Sequence, residues 1–340
     1  MRRIKQLLLI SFLSACVTPL DFEVAEPEKT IVVDGFISDL PGPHLIQITY
    51  MAPFKRVSDG GTVYPVKGAD VEVISESGSR IQLIEIRDGR YETPPVFQGI
   101  AGDKYQLKVV TADGIQIESA FHELVKGPEL DTVFTRFRKL PSSDEYDFRS
   151  GIEVIAQWKD PAGERNFHLW TRHQGIYKII TSPPSPPPNC CAICWITDVS
   201  DQINVHEDLR QDGELIKETA LFIEDDGRRF RERYWVELQQ LTITPEAYEF
   251  YKTLKSQLDI EGSIFDPPVA EIKGNLQVSN DQNVAVLGYF GAFGAQKRSF
   301  YINRELIEER QPEYIIYDFC QFLLNSNPVK PTFWKDADED

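Results

Sequence analysis

The sequence predicts a mainly β protein, in which an N-terminal immunoglobulin-like or transthyretin-like β-sandwich is followed by a larger antiparallel β-domain with one helix. From Thr30 onward, short β-branched or alternating runs are separated by turn residues, which is the pattern of paired strands. Beyond Glu129 the runs become longer and richer in aromatic residues. The sequence therefore predicts a sandwich domain over residues 30–126 and a larger β-rich domain over residues 127–340.

Six short runs in the first domain are predicted strands, a number typical of a small sandwich. Asp88-Gly89 and Asp113-Gly114 mark tight turns between paired strands. In the third run, Val71 and Val73 should point one way and Glu72 the other. The runs are TIVVDGFI (30–37), HLIQITY (44–50), ADVEVISE (69–76), RIQLIEIR (80–87), KYQLKVVT (104–111) and IQIESAF (115–121).

The second domain combines longer predicted strands with one helix. Strands are expected in IEVIAQWKDP (152–161), NFHLWTRHQGIYKII (166–180) and RRFRERYWVELQQLTI (228–243). The helix lies in ITPEAYEFYKTLKSQL (243–258), with Thr244 as N-cap, Pro245 at the first helical position and Glu246 in the first turn. One face carries an apolar stripe that should pack on the core, formed by Tyr248, Tyr251, Leu254 and Leu258.

The N-terminus has the features of a bacterial export signal. Three basic residues lie within the first five positions, and an apolar run at 7–13 is too short to span a bilayer. The run ends in Leu13-Ser14-Ala15-Cys16, which resembles the lipobox of bacterial lipoproteins. That resemblance implies cleavage after residue 15 and lipidation of Cys16, followed by an acidic tether over residues 16–29. We expect an outer-membrane location, because Val17 is not an acidic retention residue, with the membrane face undetermined.

Four other cysteines are predicted to form disulfides. An exported chain folds where disulfides persist, and Cys190, Cys191, Cys194 and Cys320 could form two bridges. A bridge between the neighbours Cys190 and Cys191 would be strained. We therefore expect Cys194 to join one of them and Cys320 the other, which would tie the C-terminal region to the middle of the chain. Spacing does not settle the pairing.

A metal site is the alternative interpretation of the cysteine cluster. It would recruit His168, His173 or His206, which lie near the cysteines in sequence. The cysteines lack the second ordered pair that structural zinc sites use, so no metal ligand and no cofactor is predicted.

The charge excludes one class of partner. The net charge is −17; removal of residues 1–15, with three basic and no acidic residues, leaves 33 basic against 53 acidic residues, or about −20. A surface this acidic argues against binding to nucleic acid. It is compatible with a cationic ligand, although solubility alone would explain it.

The known catalytic motifs are incomplete in this chain. HELVK (122–126) and HEDLR (206–210) begin like a zinc-protease helix, but their fifth residues are Lys126 and Arg210. The glycines of GYFGAFG (288–294) lack the lysine of a phosphate loop and fit positions where packed strands need small residues. Paired acids such as Asp225-Asp226 are too common in this acidic chain to indicate a glycosidase. We therefore predict no enzymatic activity and name no catalytic residue.

Several segments together resemble a Bacteroidota lipoprotein family labelled domain of unknown function 4249. They are GSIFDPPVAEIKGNLQV, VLGYFGAF, the cysteine before a closing KPTFW, the lipobox and CCAIC, and residues 262–293 are the most specific. The resemblance implies a lipoprotein typically encoded beside a TonB-dependent outer-membrane receptor, without an established catalytic activity. A second cysteine is common near the C-terminal one in that family, whereas here only Cys320 is present.

The expected function is therefore that of a non-enzymatic accessory or ligand-capture subunit of a TonB-dependent receptor. Its partners would be that receptor and the membrane, through the lipid anchor, and its ligand is unknown. The alternative is a cell-surface polymer-processing enzyme or an adhesin whose site the sequence does not reveal.

The first prediction concerns the anchor. Cys16→Ala should release the protein from membranes, because it removes the sulfur that carries the lipid. Membrane fractionation after a high-salt wash measures this. Ser14→Ala keeps a small residue in the lipobox and should leave the protein anchored. A Cys16→Ala protein that stays with the washed membranes would contradict the lipid anchor.

Overall fold

The computed structural model describes residues 29–51, 64–141, 148–170, 173–182, 193–199, 202–209, 211–260, 272–312 and 315–336. The predicted lipid anchor Cys16 and the cysteines Cys190 and Cys191 lie outside these ranges. The strands of the first part are β1 (Thr30–Ser38), β2 (Leu45–Tyr50), β3 (Tyr64–Pro65), β4 (Asp70–Ser75), β5 (Arg80–Gln82), β6 (Ile84–Arg87), β7 (Arg90–Glu92), β8 (Lys104–Val110), β9 (Gln116–Ser119) and β10 (His122–Glu123). Those that follow are β11 (Leu130–Pro141), β12 (Phe148–Lys159), β13 (Phe167–Trp170), β14 (His173–Ile180), β15 (Ile193–Val199), β16 (Asn204–Glu207), β17 (Leu215–Glu224), β18 (Arg233–Thr242), the helix α1 (Pro245–Leu258), β19 (Leu276–Val278), β20 (Ala285–Asn303) and β21 (Ser326–Asn327).

The predicted fold class is confirmed, because the described residues form mainly antiparallel β-sheets and one α-helix. The largest sheet has the order β21-β15-β14-β18-β20-β1-β2-β7-β6, with β3, β13 and β16 joined to it beside this path. A second sheet has the order β19-β9-β8-β4-β5, with β10 paired to β8. The third sheet is β11-β12-β17.

The first sandwich is formed by the second sheet and by the β20-β1-β2-β7 part of the largest sheet. Alternate residues of each strand point into one shared core, including Ile31, Val33, Ile48, Leu107 and Ile117. The predicted alternation in β4 is confirmed, since Val71 and Val73 are fully buried and Glu72 is only half-buried. Burial of branched side chains from both layers is what holds the two sheets together.

The predicted turns of this sandwich are also found. Gly89 between β6 and β7 has φ +69° and Gly114 between β8 and β9 has φ +85°, values that favour glycine. The run RIQLIEIR, however, is two strands rather than one. β5 pairs with β4 in one sheet and β6 with β7 in the other, so the chain changes layers at the buried Leu83.

The second core lies between the three-stranded sheet and the β15-β14-β18 part of the largest sheet. Trp158 on β12 and Trp170 on β13 contact each other with ring centroids 6.2 Å apart, and both are almost fully buried. Tyr234 and Leu238 of β18 pack into the same core. The predicted aromatic strands therefore fill the interior of the second part of the molecule.

Strand β20 joins the two parts of the fold. Its first half, Ala285 to Phe293, pairs in parallel with all nine residues of β1, and its second half, Gly294 to Asn303, pairs antiparallel with β18. Strand β19 likewise pairs with β9 of the first sandwich. The predicted boundary between residues 126 and 127 stays a prediction, but strand pairing does not follow it, because residues 276–293 complete the sheets of the N-terminal part.

Three glycines of β20 leave room for neighbouring groups. A Cβ atom on Gly288 would lie 1.9 Å from the Val33 carbonyl oxygen, and one on Gly294 would lie 2.3 Å from the Val125 carbonyl oxygen. At Gly291 it would meet the Phe293 ring at 2.0 Å. The prediction that GYFGAFG serves strand packing is confirmed, because each glycine allows a close approach that any larger residue would block.

The helix α1 has the predicted start. Thr244 is the N-cap, with its Oγ1 accepting from the Ala247 N–H at 3.4 Å, and Pro245 begins the helix. Tyr248 and Tyr251 are buried against β13 and β20, as predicted. Leu258 is 62% exposed, so the prediction that it packs on the core is wrong, and the stripe ends at the partly buried Leu254.

The C-terminal segment is held by a disulfide between Cys194 of β15 and Cys320, with their Cα atoms 6.0 Å apart. The expectation that a bridge ties the C-terminal region to the middle of the chain is confirmed. The favoured pairing, in which Cys194 and Cys320 each join one of Cys190 and Cys191, is wrong, because Cys194 and Cys320 are bonded to each other. β21 pairs with β15 at Trp195–Asn327, and this pairing brings the end of the chain beside Cys194.

The second prediction concerns this bridge. Reduction should lower the melting temperature, because the bridge closes a loop with a sequence separation of 126. On the loop-entropy model, a loop of this length contributes about 5 kcal/mol. Thermal unfolding with and without a phosphine reductant measures the effect. A Cys190→Ser/Cys191→Ser variant should keep this sensitivity, and a Cys194→Ser/Cys320→Ser variant should lose most of it. The opposite result in the two double variants would contradict the bridge seen here.

Candidate functional site

A cleft of about 520 Å³ lies where the first sandwich meets the start of α1. Phe121, His122 and Glu123 contribute from β10 and the residue before it, and Thr244 to Glu246 contribute from the helix cap. Tyr289 of β20 forms part of the wall. The cleft therefore gathers three segments that are far apart in sequence, and a space of this size can hold a small ligand.

His122 is the central polar group of this cleft. It is 5% exposed, and its Nε2 lies 3.1 Å from the Tyr289 hydroxyl and 3.2 Å from Thr244 Oγ1. The Ala292 N–H donates to the His122 Nδ1 at 3.2 Å. Edge-to-face contacts with the Tyr289 and Phe293 rings fix the orientation of the imidazole.

These hydrogen bonds define the protonation state of His122. Because Nδ1 accepts from a backbone N–H, the neutral ring carries its proton on Nε2, which then donates toward Tyr289 or Thr244. Burial lowers the pKa of His122 and so favours this neutral form. A ring in this state cannot take a proton from the Thr244 hydroxyl, so the pair does not work as a nucleophile and its base.

The rim of the cleft is acidic. Glu76, Glu123 and Glu246 line it together with one base, Lys104, whose Nζ lies 3.8 Å from Glu76 Oε2. Phe121 is 45% exposed beside these carboxylates. An aromatic surface below an excess of negative charge favours ligands that carry a positive group.

The two histidine motifs rejected as zinc sites are not helical. His122-Glu123 forms β10 and His206-Glu207 lies in β16, so neither motif has the helix that places two histidines on one face. His168 and His206 are cross-strand neighbours on β13 and β16, and Trp158 packs edge-on against both. Cys194 is part of a disulfide and is not a thiolate that could join them on a metal.

The paired acids Asp225-Asp226 have a local structural role. Asp225 Oδ1 accepts from the Gly227 N–H at 2.9 Å, and its Oδ2 accepts from the Gln311 N–H at 3.0 Å. Asp226 accepts from the backbone N–H groups of Arg228 and Arg229, both at 3.0 Å. These carboxylates shape the turn before β18, which agrees with not assigning them a catalytic role.

Glu153 of β12 is buried and accepts hydrogen bonds from Arg136 Nε at 3.0 Å and from Thr219 Oγ1 at 2.6 Å. These contacts link the three strands of the third sheet.

Within the described ranges, no helix is both long and apolar enough to cross a membrane.

The family of the chain follows from its match to a family model. The model described as "Domain of unknown function (DUF4249)" matches residues 17–299. The chain belongs to this family. The match begins directly after Cys16 and includes all strands from β1 to β19 and most of β20.

Other comparisons add little to this assignment. No curated protein is significantly similar to this member of the family. A crystal structure of a DUF4785 family protein from Legionella pneumophila subsp. pneumophila str. Philadelphia 1 is 12% identical, with a TM-score of 0.22, over 62% of this chain and 52% of that one. This chain thus spans about half the length of that protein, and a likeness this weak carries no argument.

The cleft was not predicted from the sequence. In the sequence, HELVK is an incomplete zinc-protease motif, and Thr244 has the features of a helix cap. No local pattern connects His122 with Tyr289, which lies 167 positions away. The one usable signal was a histidine inside a short alternating run, a position that often faces a core.

The third prediction uses the lowered pKa of His122. The unfolded chain binds a proton at higher pH than the native protein does, so the stability from neutral His122 is present above about pH 6.5 and is lost below it. A histidine whose pKa is lowered on folding reduces the free energy of unfolding by at most about 1.4 kcal/mol for each pH unit of acidification. Thermal unfolding from pH 8 to pH 5 should therefore show a smaller decrease for His122→Gln than for the unsubstituted protein.

His44 is a matched control for this experiment. Burial lowers its pKa to about 4, and it lies outside the cleft, so His44→Gln should also reduce the acid-induced decrease. Curves for His122→Gln that run parallel to those of the unsubstituted protein would show that His122 is not held neutral.

Proposed function

We propose that this protein is a lipid-anchored outer-membrane lipoprotein that acts as a non-enzymatic accessory or ligand-capture subunit of a TonB-dependent receptor. The lipobox at Cys16 supports the anchor, and the family resemblance of the sequence supports the kind of partner. The observation that carries the proposal is an exposed apolar surface on the C-terminal segment. The cleft at His122 supplies the place for a ligand.

Several large apolar side chains of the C-terminal segment are exposed to solvent. Six large apolar side chains within residues 315–333 are between 45% and 85% exposed. Apolar exposure concentrated in this way is typical of surfaces that contact another protein. The side chains are Ile315, Tyr317, Phe322, Leu324, Val329 and Phe333, hereafter the C-terminal apolar surface.

The segment that carries this surface is fixed to the body. Cys320 is bonded to Cys194, and β21 pairs with β15. Trp334 is 3% exposed and contacts the rings of Trp195 and Tyr301. A surface that is already ordered loses little conformational entropy on binding, which favours its use as an interface.

The cleft supports capture rather than catalysis. His122 is held neutral with its proton on Nε2, and the acidic rim gives an electrostatic attraction for cationic groups. Recognition would then rest on shape, rim charge and the exposed Phe121. The alternative of a polymer-processing enzyme or an adhesin would apply if no receptor partner is found.

The fourth prediction tests the partner. The tagged lipoprotein, solubilised in detergent after mild cross-linking, should bring down a large β-barrel receptor from cells that express TonB-dependent receptors. Mass spectrometry of the purified complex measures this. Recovery of the lipoprotein alone from such cells would contradict the proposal.

The contact surface can be tested with matched variants. Phe322→Ser/Leu324→Ser should reduce receptor recovery by about tenfold or more, since a few buried apolar residues carry most of the energy of an interface. Ile84→Ser/Val96→Ser changes two apolar side chains of similar exposure, 64% and 90%, on the first sandwich and should leave recovery unchanged. Equal losses in both pairs would place the interface elsewhere.

A further inference from the structure

Three aspartates meet at one end of the strand pair β13–β16. Asp160 follows β12 and Asp208 follows β16, while Asp212 lies in the loop that leads to β17. One oxygen from each carboxylate lies within 4.8 Å of the corresponding oxygens of the other two. Asp160 and Asp208 are 2% and 1% exposed, and Asp212 is exposed.

Backbone hydrogen bonds hold the two loops that carry these residues. The Asp160 N–H donates to the Glu214 carbonyl at 3.0 Å, and the Asn166 N–H donates to Asp208 Oδ2 at 3.0 Å. The Gly213 N–H donates to Asp160 Oδ2 at 3.0 Å. Asp212 Oδ1 accepts from the Gly163 N–H at 2.7 Å, so each loop binds a carboxylate of the other.

One buried oxygen of this cluster has no partner. Asp160 Oδ1 is buried and accepts no hydrogen bond from any residue in the part of the chain described here. Over the same residues, no lysine or arginine forms an ion pair with Asp160, Asp208 or Asp212. A buried carboxylate oxygen without a donor costs free energy that the fold must recover elsewhere.

The three carboxylates also repel one another. Asp160 and Asp208 are almost inaccessible to water, so solvent screens this repulsion weakly and a cation between the carboxylates would relieve it.

We propose that Asp160, Asp208 and Asp212 bind a divalent cation, and that calcium is the ion whose coordination they fit. All the side-chain donors are carboxylate oxygens, which hard cations prefer and which zinc and copper sites seldom use alone. Oxygens within 4.8 Å of one another can all reach a single ion at Ca–O distances of about 2.3 to 2.6 Å. Water and nearby carbonyl groups complete such a coordination sphere.

The ion would stabilise the part of the molecule on which α1 packs. It would join the loop that carries Asp160 to the residues Asp208 and Asp212, close in sequence to Arg165 and Glu207. Arg165 donates to Glu207 Oε2 at 2.6 Å, and the Tyr248 hydroxyl of α1 donates to Glu207 Oε1 at 3.1 Å. The role of the ion is therefore structural, and it is independent of the proposed receptor partner.

Calcium titration of the whole lipoprotein tests this site. The protein is purified in detergent, stripped with EGTA and titrated with CaCl2, while calorimetry measures binding and thermal unfolding measures stability. We expect one saturable ion per chain and a melting temperature higher by about 5 °C at a hundredfold excess of calcium over its Kd. No binding at millimolar CaCl2, or a larger shift with MgCl2, would overturn the assignment of calcium.

Single substitutions assign the binding to these residues. Asp208→Asn and Asp212→Asn should each weaken calcium binding at least tenfold, and the exposed Asp131→Asn on β11 should not. In calcium-free buffer, Asp160→Asn should melt no lower than the unsubstituted protein, because it removes a repulsion among three neighbouring carboxylates, yet it should lose the response to CaCl2. An undiminished calcium response in the three site variants would overturn the proposal.

Discussion

The structure depends on β20 serving as a neighbour to two different strands. Its first half closes the N-terminal sandwich against β1, and its second half forms the largest sheet with β18. A strand can make both ladders only if the backbones around it approach closely, and Gly288, Gly291 and Gly294 provide that space. Gly288 also has φ +103°, a conformation that a residue with a Cβ atom rarely adopts. One continuous strand thus belongs to the sheets of both parts of the fold.

The candidate cleft depends on the same strand. Tyr289 and the Ala292 N–H belong to β20, and both hold His122, which reaches them from β10. Thr244 completes the arrangement because α1 packs on β13 and β20. The position of His122 is therefore fixed by long-range pairing, its neutral state follows from burial, and the backbone N–H at Nδ1 sets which nitrogen carries the proton.

The sequence predicts the local features well, because local features have local causes. Alternation in β4, the Asp-Gly turns and the Thr244-Pro245 helix start are each set by adjacent residues, and the structure has all of them. The parallel pairing of Thr30 with Ala285 has no such cause, because it depends on the packing of the whole sandwich. The same is true of the Cys194–Cys320 bridge, which depends on the pairing of β21 with β15.

The clusters that carry possible function were the least predictable part. Each of Asp160, Asp208 and Asp212 is an ordinary residue in a chain with 53 acidic residues, and only their proximity in the folded chain distinguishes them. His122 belongs to a motif that was correctly rejected as a zinc helix, and its contacts with Thr244 and Tyr289 become visible only in the folded chain. Sites assembled from distant segments leave no spacing rule in the sequence.

The order of strands also bears on how capture would work. The C-terminal apolar surface lies at the β21 edge of the largest sheet, and the cleft lies beside β20, four strand positions away. The two therefore lie on different strands of one continuous hydrogen-bonded sheet. A ligand of cleft size would therefore not overlap a partner bound to the C-terminal apolar surface. Because the sheet between them is paired throughout, binding at one place would position the other without a hinge. A capture subunit built in this way would hold its ligand and its receptor at the same time.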